Sequence, residues 1–378
     1  MSARIRYQTS NPTPIKVLGN FCKGAIATPA TQNESTIRST IALTDTLDTP
    51  APSTRWTQRL AQFRTADNRR AYFEIIFTVL PFVGLWVLAW AVQFYSVWLA
   101  LLFTVPLAGF LVRLFMIQHD CGHNSLFSSR NVNDWVGRVL GVLTFTPYDF
   151  WRHSHALHHA SSGNLDRRGH GDILTLTVAE YRALTLWGRL RYRLYRHPIV
   201  MFGIGPAYLF LLQQRLPVGG MKDGRMPWVS TAATNVGIAL ATAVMIWLVG
   251  WKAFLLIQLP AVALAGSIGV WLFYVQHQFE ETTWERTPDW KHDDAALHGS
   301  SFYDLPKPIM WMTGNIGMHH LHHLSSRIPF YKLPDVLRAH PELRDIGRLT
   351  IMESLRCVRL TLWCETEKRL VSFRHATA

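Results

Sequence analysis

Apolar positions in this chain collect into long uninterrupted runs rather than the short alternations of a soluble fold. No charged residue occurs from Ile75 to Val112, and a bilayer span needs about 20 apolar residues. That run holds two helices, and the cluster Gln93-Phe94-Tyr95-Ser96 near its middle predicts a tight turn between them. Met226 to Gly250 forms a second uncharged run and Ala253 to Phe279 a third. Together they predict an all-α, multi-pass membrane protein with about four transmembrane helices. The run from Pro198 to Gln214 is shorter and carries Gly203, Gly205 and Pro206, which predicts a re-entrant or interfacial piece.

Composition supports the membrane class. Of 378 residues, 49% are hydrophobic and 15 are Trp, richer in apolar and aromatic side chains than an ordinary soluble enzyme. Residues 1–54 are rich in Thr, Ser, Pro and Asn without apolar periodicity, so a disordered leader is expected there, followed by one domain over residues 55–378. The leader shows no signal-peptide apolar core.

Charge sets the orientation, because cytoplasmic flanks are enriched in Lys and Arg. Arg55, Arg59, Arg64, Arg69 and Arg70 precede the first span, and Arg182, Arg189, Arg191, Arg193, Arg196, Arg215, Lys222 and Arg225 lie between the second and third. The short turns on the other side offer only Lys252. The basic segments are therefore expected in the cytoplasm, at the inner membrane if the source is bacterial. This asymmetry accounts for much of the net charge of +13; anionic head groups explain it more economically than nucleic acid. Cys22, Cys121, Cys357 and Cys364 form no CxxC pair, and on the cytosolic side they are expected as free thiols.

Histidines supply the chemistry. "HDCGH" places His119 and His123 four residues apart, so on a continuing helix both rings emerge on one face. "HSHALHH" contains HxxHH at His155, His158 and His159, and "HHLHH" repeats it at His319, His322 and His323. "QHQFE" puts His277 at the end of the fourth span. One such pair would ordinarily be a solvated or hydrogen-bonded pair. Three clusters at the cytoplasmic ends of one bundle instead predict metal ligation. An even number of crossings must separate the second cluster from the third if they share a site, which argues against the Pro198 segment as a fifth span.

Nine histidines exceed the capacity of one metal and suit two sites of four or five ligands each, in a cytoplasmic helical cap. Soluble di-iron bundles use Glu-x-x-His, which this chain lacks. Imidazole suits iron, zinc and copper alike, and spacing does not separate them.

"HDCGH", "WRHSHALHH", "QHQFE" and "TGNIGMHHLHHLSSRIP" resemble the three histidine boxes and flanking residues of the membrane fatty acid desaturases, in particular acyl-lipid enzymes of the Δ12 or omega-6 group. The resemblance covers about Arg70 to Phe373. It implies an O2-dependent enzyme with two Fe ions that inserts a cis double bond into a lipid-linked acyl chain, held by His119, His123, His155, His158, His159, His277, His319, His322 and His323. An alkyl C–H carries no acidic proton, and zinc has no redox chemistry; iron follows. The chain has no dinucleotide fingerprint and no iron–sulfur Cys set, so electrons are expected from a separate ferredoxin or cytochrome b5-type partner.

Other residues are expected to matter less. Arg113 is expected to snorkel to the interface. Asp120 could orient an imidazole or be solvated, and Asp172 and Asn315 are candidates to support ligands. His153 and His320 fall out of register, and His170, His292 and His298 lack box spacing. Trp86, Trp90, Trp98, Trp247 and Trp251 are read as packing or interface residues. Two alternatives stand beside the desaturase: a di-iron hydroxylase or ketolase of a carotenoid or other lipid, and a metal transporter. A transporter would place ionisable groups inside its spans, whereas these histidines sit at the ends.

Overall fold

The structure is a computed structural model that describes residues 56, 58–169 and 171–377. The predicted leader, Cys22 and His170 lie outside them. Among the described residues four helices are long and apolar enough to cross a membrane: Asn68–Val92, Val97–Gly122, Met226–Val249 and Trp251–His277. They are the four spans read from the sequence.

Each boundary has a local cause. The Asp67 carboxylate accepts the Arg69 and Arg70 backbone N–H groups and starts the first span. Residues 93–96 make the predicted turn, and Ser96 caps the second span by accepting from Leu99 N–H at 3.3 Å. Gly250 alone separates the third and fourth spans at φ +82°, a conformation that a side chain would strain.

The second span is the inner one, packed against the first and the fourth. The third is the least buried of the four, with 6% of its most apolar window buried. Trp98, Trp247 and Trp251 are exposed at the turn side, while Trp86 is buried. The Pro198 segment folds as Val200–Ile204 and Gly205–Leu211, roughly 18 Å of helix at 1.5 Å per residue, short of a span.

The remaining elements gather at the ends of the second and fourth spans. They include helices Arg130–Leu143, Tyr148–Ser161 and His319–Leu324. Among the described residues five short strands complete them: β1 Leu176–Thr177, β2 Phe302–Tyr303, β3 Arg348–Leu349, β4 Leu362–Cys364 and β5 Arg369–Val371. Strand β4 pairs in parallel with β1 and antiparallel with β5, and β2 pairs in parallel with β3.

Arg113 departs from expectation. It does not snorkel: its side chain is 1% exposed and donates to the Glu74 carboxylate, itself buried, and to the Trp311 carbonyl. Its Nε also donates to Thr78 Oγ1 at 3.1 Å, and its guanidinium lies 3.9 Å from the Trp311 ring centroid. A charge this deep is costly unless paired, and Glu74, just outside the uncharged run, is the partner.

Candidate metal centre

The second span ends at Gly122, and His119 and His123 leave its last turn toward the Tyr148–Ser161 helix. That helix presents His155, His158 and His159, with the Trp151 ring stacked on His155 at 4.7 Å. The fourth span ends on His277. The third box arrives through a tight turn in which Gly314 and Asn315 both have positive φ; a Cβ on Gly314 would meet Met116 Cβ at 2.8 Å, so glycine lets the turn close onto the second span.

The nine histidines meet in two groups. His119, His123, His155, His159 and His322 form one; His158, His277, His319 and His323 form the other, and in each group the nearest nitrogens all lie within 4.8 Å of one another. In the five-histidine group His155 Nε2 lies 2.9 Å from His119 Nε2, 3.0 Å from His123 Nε2 and 3.1 Å from His159 Nε2, and His322 Nε2 lies 3.0 Å from His159 Nε2. In the four-histidine group His277 Nε2 lies 3.2 Å from His158 Nε2 and 3.0 Å from His319 Nε2. His323 Nε2 is buried without a hydrogen-bond partner.

Those spacings test the fit of a metal. Imidazole nitrogens about 2.0–2.1 Å from one ion stand roughly 2.9–3.4 Å apart in octahedral to tetrahedral geometry, and the observed contacts fall in or close to that range. Neutral rings supply one N–H and one lone pair each, so a ring of facing Nε2 atoms cannot satisfy itself by hydrogen bonds alone. Desolvation, and after it the neighbouring imidazoles, holds His123, His155, His159, His319, His322 and His323 well below the ordinary imidazole pKa. Neutral imidazole is the ligating form. The donor set suits two ions.

Several outer contacts set ring orientation. His158 Nδ1 donates to Asp172 Oδ1 at 2.5 Å, and His277 Nδ1 donates to the Gly299 carbonyl at 3.2 Å; both hold Nε2 as the free lone pair. Asp120 is buried rather than solvated: Oδ2 accepts Phe330 N–H at 2.7 Å, and Oδ1 lies 3.5 Å from His119 Nδ1. A cavity of about 40 Å³ lined by Asp172, Phe273 and His277 adjoins the four-histidine group, room for a few waters at most.

The other polar candidates fall elsewhere. Asn315 does not touch an imidazole; its Nδ2 donates to the Phe330 carbonyl at 3.0 Å, because the turn places its side chain toward that loop. His320 is buried but turns away, with Nε2 bonded to the Leu343 carbonyl at 2.9 Å. His153, His292 and His298 are exposed. Cys121, Cys357 and Cys364 are free thiols.

The sequence matches the family model described as fatty acid desaturase over residues 96–353, well over half of the chain and all nine histidines. The chain belongs to the fatty acid desaturase family. This desaturase is 45% identical over 318 residues to a Bacillus subtilis protein named fatty acid desaturase, covering 84% of this chain and 90% of that one. It is 31% identical over 233 residues to an sn-1 acyl-lipid omega-3 desaturase (ferredoxin) of Synechocystis sp., covering 58% of this chain and 61% of that protein. It is 28% identical over 244 residues to an sn-1 oleoyl-lipid 12-desaturase of the same source, with shares of 62% and 65%. The chain thus spans less than two thirds of either Synechocystis enzyme. The membership makes it an oxidoreductase and sets aside the transporter.

Proposed function

We propose that this desaturase uses two Fe ions, O2 and an external reductant to insert a cis double bond at the Δ12 (omega-6) position of a lipid-linked acyl chain. The convergence of nine imidazoles into groups of five and four carries the reading. The bound iron pair would supply oxidation of an unactivated C–H bond by O2, which no amino-acid side chain performs. The balance is one CH2–CH2 unit, O2, two electrons and two protons, giving one CH=CH unit and two waters.

The chain's own residues hold the pair. His119, His123, His155, His159 and His322 ligate one ion, and His158, His277, His319 and His323 the other. Asp172 and the Gly299 carbonyl keep the His158 and His277 lone pairs directed inward. Burial holds the His123, His155, His159, His319, His322 and His323 rings well below the ordinary imidazole pKa, which favours the neutral, ligating form. Residues 55–378 act as one catalytic domain.

A place for the acyl tail supports a lipid substrate. An apolar groove of about 360 Å³, open along one side, lies between the first, third and fourth spans, bordered by Phe82, Trp86, Ala241, Met245, Phe254 and Gln258. Val142, Leu143 and Phe145 also line it. Between them, Thr144 Oγ1 donates to Gln118 Oε1 at 2.5 Å, and Gln118 directly precedes His119. The methyl end would lie in this groove with the reacting carbons nearer the histidines.

Two electrons must arrive from outside, because the sequence carries neither a dinucleotide fingerprint nor the Cys spacing of an iron–sulfur cluster. A ferredoxin or cytochrome b5-type donor fits, and the Synechocystis omega-3 relative is named for ferredoxin. The basic segments favour a site on the cytoplasmic side.

Expression in a host whose lipids contain only saturated and monounsaturated chains tests the position. Mass spectrometry should find a new 9,12-diene. A triene formed only when a diene is supplied would replace the Δ12 reading with omega-3, and hydroxylated or keto products would favour the hydroxylase or ketolase.

A further inference from the structure

Outside the histidine centre, a second set of ligand-type side chains converges on the C-terminal hairpin. Cys364 ends β4, Glu367 lies in the turn to β5, and His375 lies on the helix Phe373–Thr377. Cys364 Sγ lies 3.8 Å from His375 Nε2, and His375 Nε2 lies 3.1 Å from Glu367 Oε1. The three ligand atoms all lie within 4.8 Å of one another.

We infer that Cys364, Glu367 and His375 form a separate mononuclear site for a divalent ion of zinc type. Zinc–sulfur distances of about 2.3 Å and zinc–nitrogen or zinc–oxygen distances of about 2.0–2.1 Å put tetrahedral S–N and N–O edges near 3.5 Å and 3.3 Å. The observed 3.8 Å and 3.1 Å lie within a few tenths of an ångström of those edges. Thiolate, imidazole and carboxylate are the ligands zinc takes, and three protein ligands leave the fourth position for water.

The surroundings suit such an ion. Cys364 is 4% exposed while Glu367 and His375 reach the surface, so the site is rooted in the hairpin and open on one side. Arg369 Nε donates to Glu367 Oε2 at 2.7 Å, which leaves Oε1 facing His375. Trp363, the residue before Cys364, stacks on Trp284 at 5.2 Å and fixes the strand. Arg182 Nε donates to the Ala376 carbonyl at 2.9 Å, so the C-terminal helix is already tied back. A metal would staple that helix to the hairpin.

Cobalt distinguishes this site from the histidine centre, because only a thiolate ligand gives a sulfur-to-cobalt charge-transfer band in the near ultraviolet. The full chain, purified in detergent with its iron centre loaded, is titrated with Co²⁺. The expected result is a band that saturates at one equivalent and is displaced by Zn²⁺. It should vanish in Cys364→Ser and persist in His277→Ala. His375 is partly exposed, so His375→Ala should fold normally while weakening Co²⁺ binding at least about tenfold. A wild-type protein without the band, or a band that survives Cys364→Ser or is unmoved in His375→Ala, would show only a thiol–imidazole–carboxylate hydrogen-bond chain and overturn the site.

Discussion

Arg113 and Glu74 form an ion pair that joins the second span to the first, and neither side chain is more than 2% exposed. Arg113 also reaches the Trp311 carbonyl, just ahead of the third histidine box. Removing one partner strands the other charge without solvent. Glu74→Ala should therefore cost roughly 3–5 kcal/mol, read as a fall in detergent-solubilised unfolding midpoint and in yield. The double variant Glu74→Leu with Arg113→Met should recover most of that loss. If Glu74→Ala alone matches the wild-type midpoint, the pair contributes nothing to the fold.

His277→Ala should abolish desaturation and lower bound iron from about two atoms per chain while leaving membrane insertion intact, since a four-ligand group would lose a member. His292, exposed and bonded to Asp293, provides the contrast: His292→Ala should stay largely active with full iron. Metal analysis alongside activity decides it. Normal iron and turnover in His277→Ala would reduce the site to eight histidines.

Asp172→Asn keeps the shape but removes the charge that His158 Nδ1–H meets. Loss of such an outer partner typically lowers metal affinity about 10–100-fold. Iron retention against a graded chelator series should shift by that amount, and expression should not change. An unshifted series would make Asp172 a surface carboxylate of no consequence to the metal.

Ala241 borders the apolar groove, and Ala241→Phe would fill part of it. Product analysis with mixed acyl chains should then show longer chains falling off and shorter ones retained. An unchanged chain-length profile would remove the groove from the substrate path.

Reporter tags at the N terminus, near Gly219-Gly220 and at the C terminus should all report the cytoplasm, and one at Gly250 the opposite side. A C-terminal tag found outside would contradict the shared site, because His123 and His322 could no longer meet.

The spans were legible because uncharged length is itself the physical requirement for crossing lipid. The histidine clusters were legible because i, i+4 and HxxHH spacings bring rings to one side of a helix. Glu74 was missed although Arg113 signalled it: a charge inside a span needs a partner, and Glu74 and Arg113 stand at the two ends of the same uncharged run. Spacing placed His158 and His159 in one box without revealing that they serve different groups, which depends on how the Tyr148–Ser161 helix rotates against the fourth span. The Cys364, Glu367 and His375 set left no trace in spacing, because a hairpin turn and a five-residue helix bring it together. Asn315 was read as a candidate to support a ligand; its Nδ2 donates instead to the Phe330 carbonyl.

His158 and His159 are consecutive, as are His322 and His323, and each pair sends one ring to each histidine group. Adjacent residues on a helix diverge by about 100°, and their Cα atoms are held about 3.8 Å apart by one planar peptide unit. The separation between the two centres is thus gauged twice by covalent bonds rather than by loops that breathe. Inserting a single residue between either pair would not loosen the gauge but misaddress it, delivering a ring to the wrong histidine group or to neither.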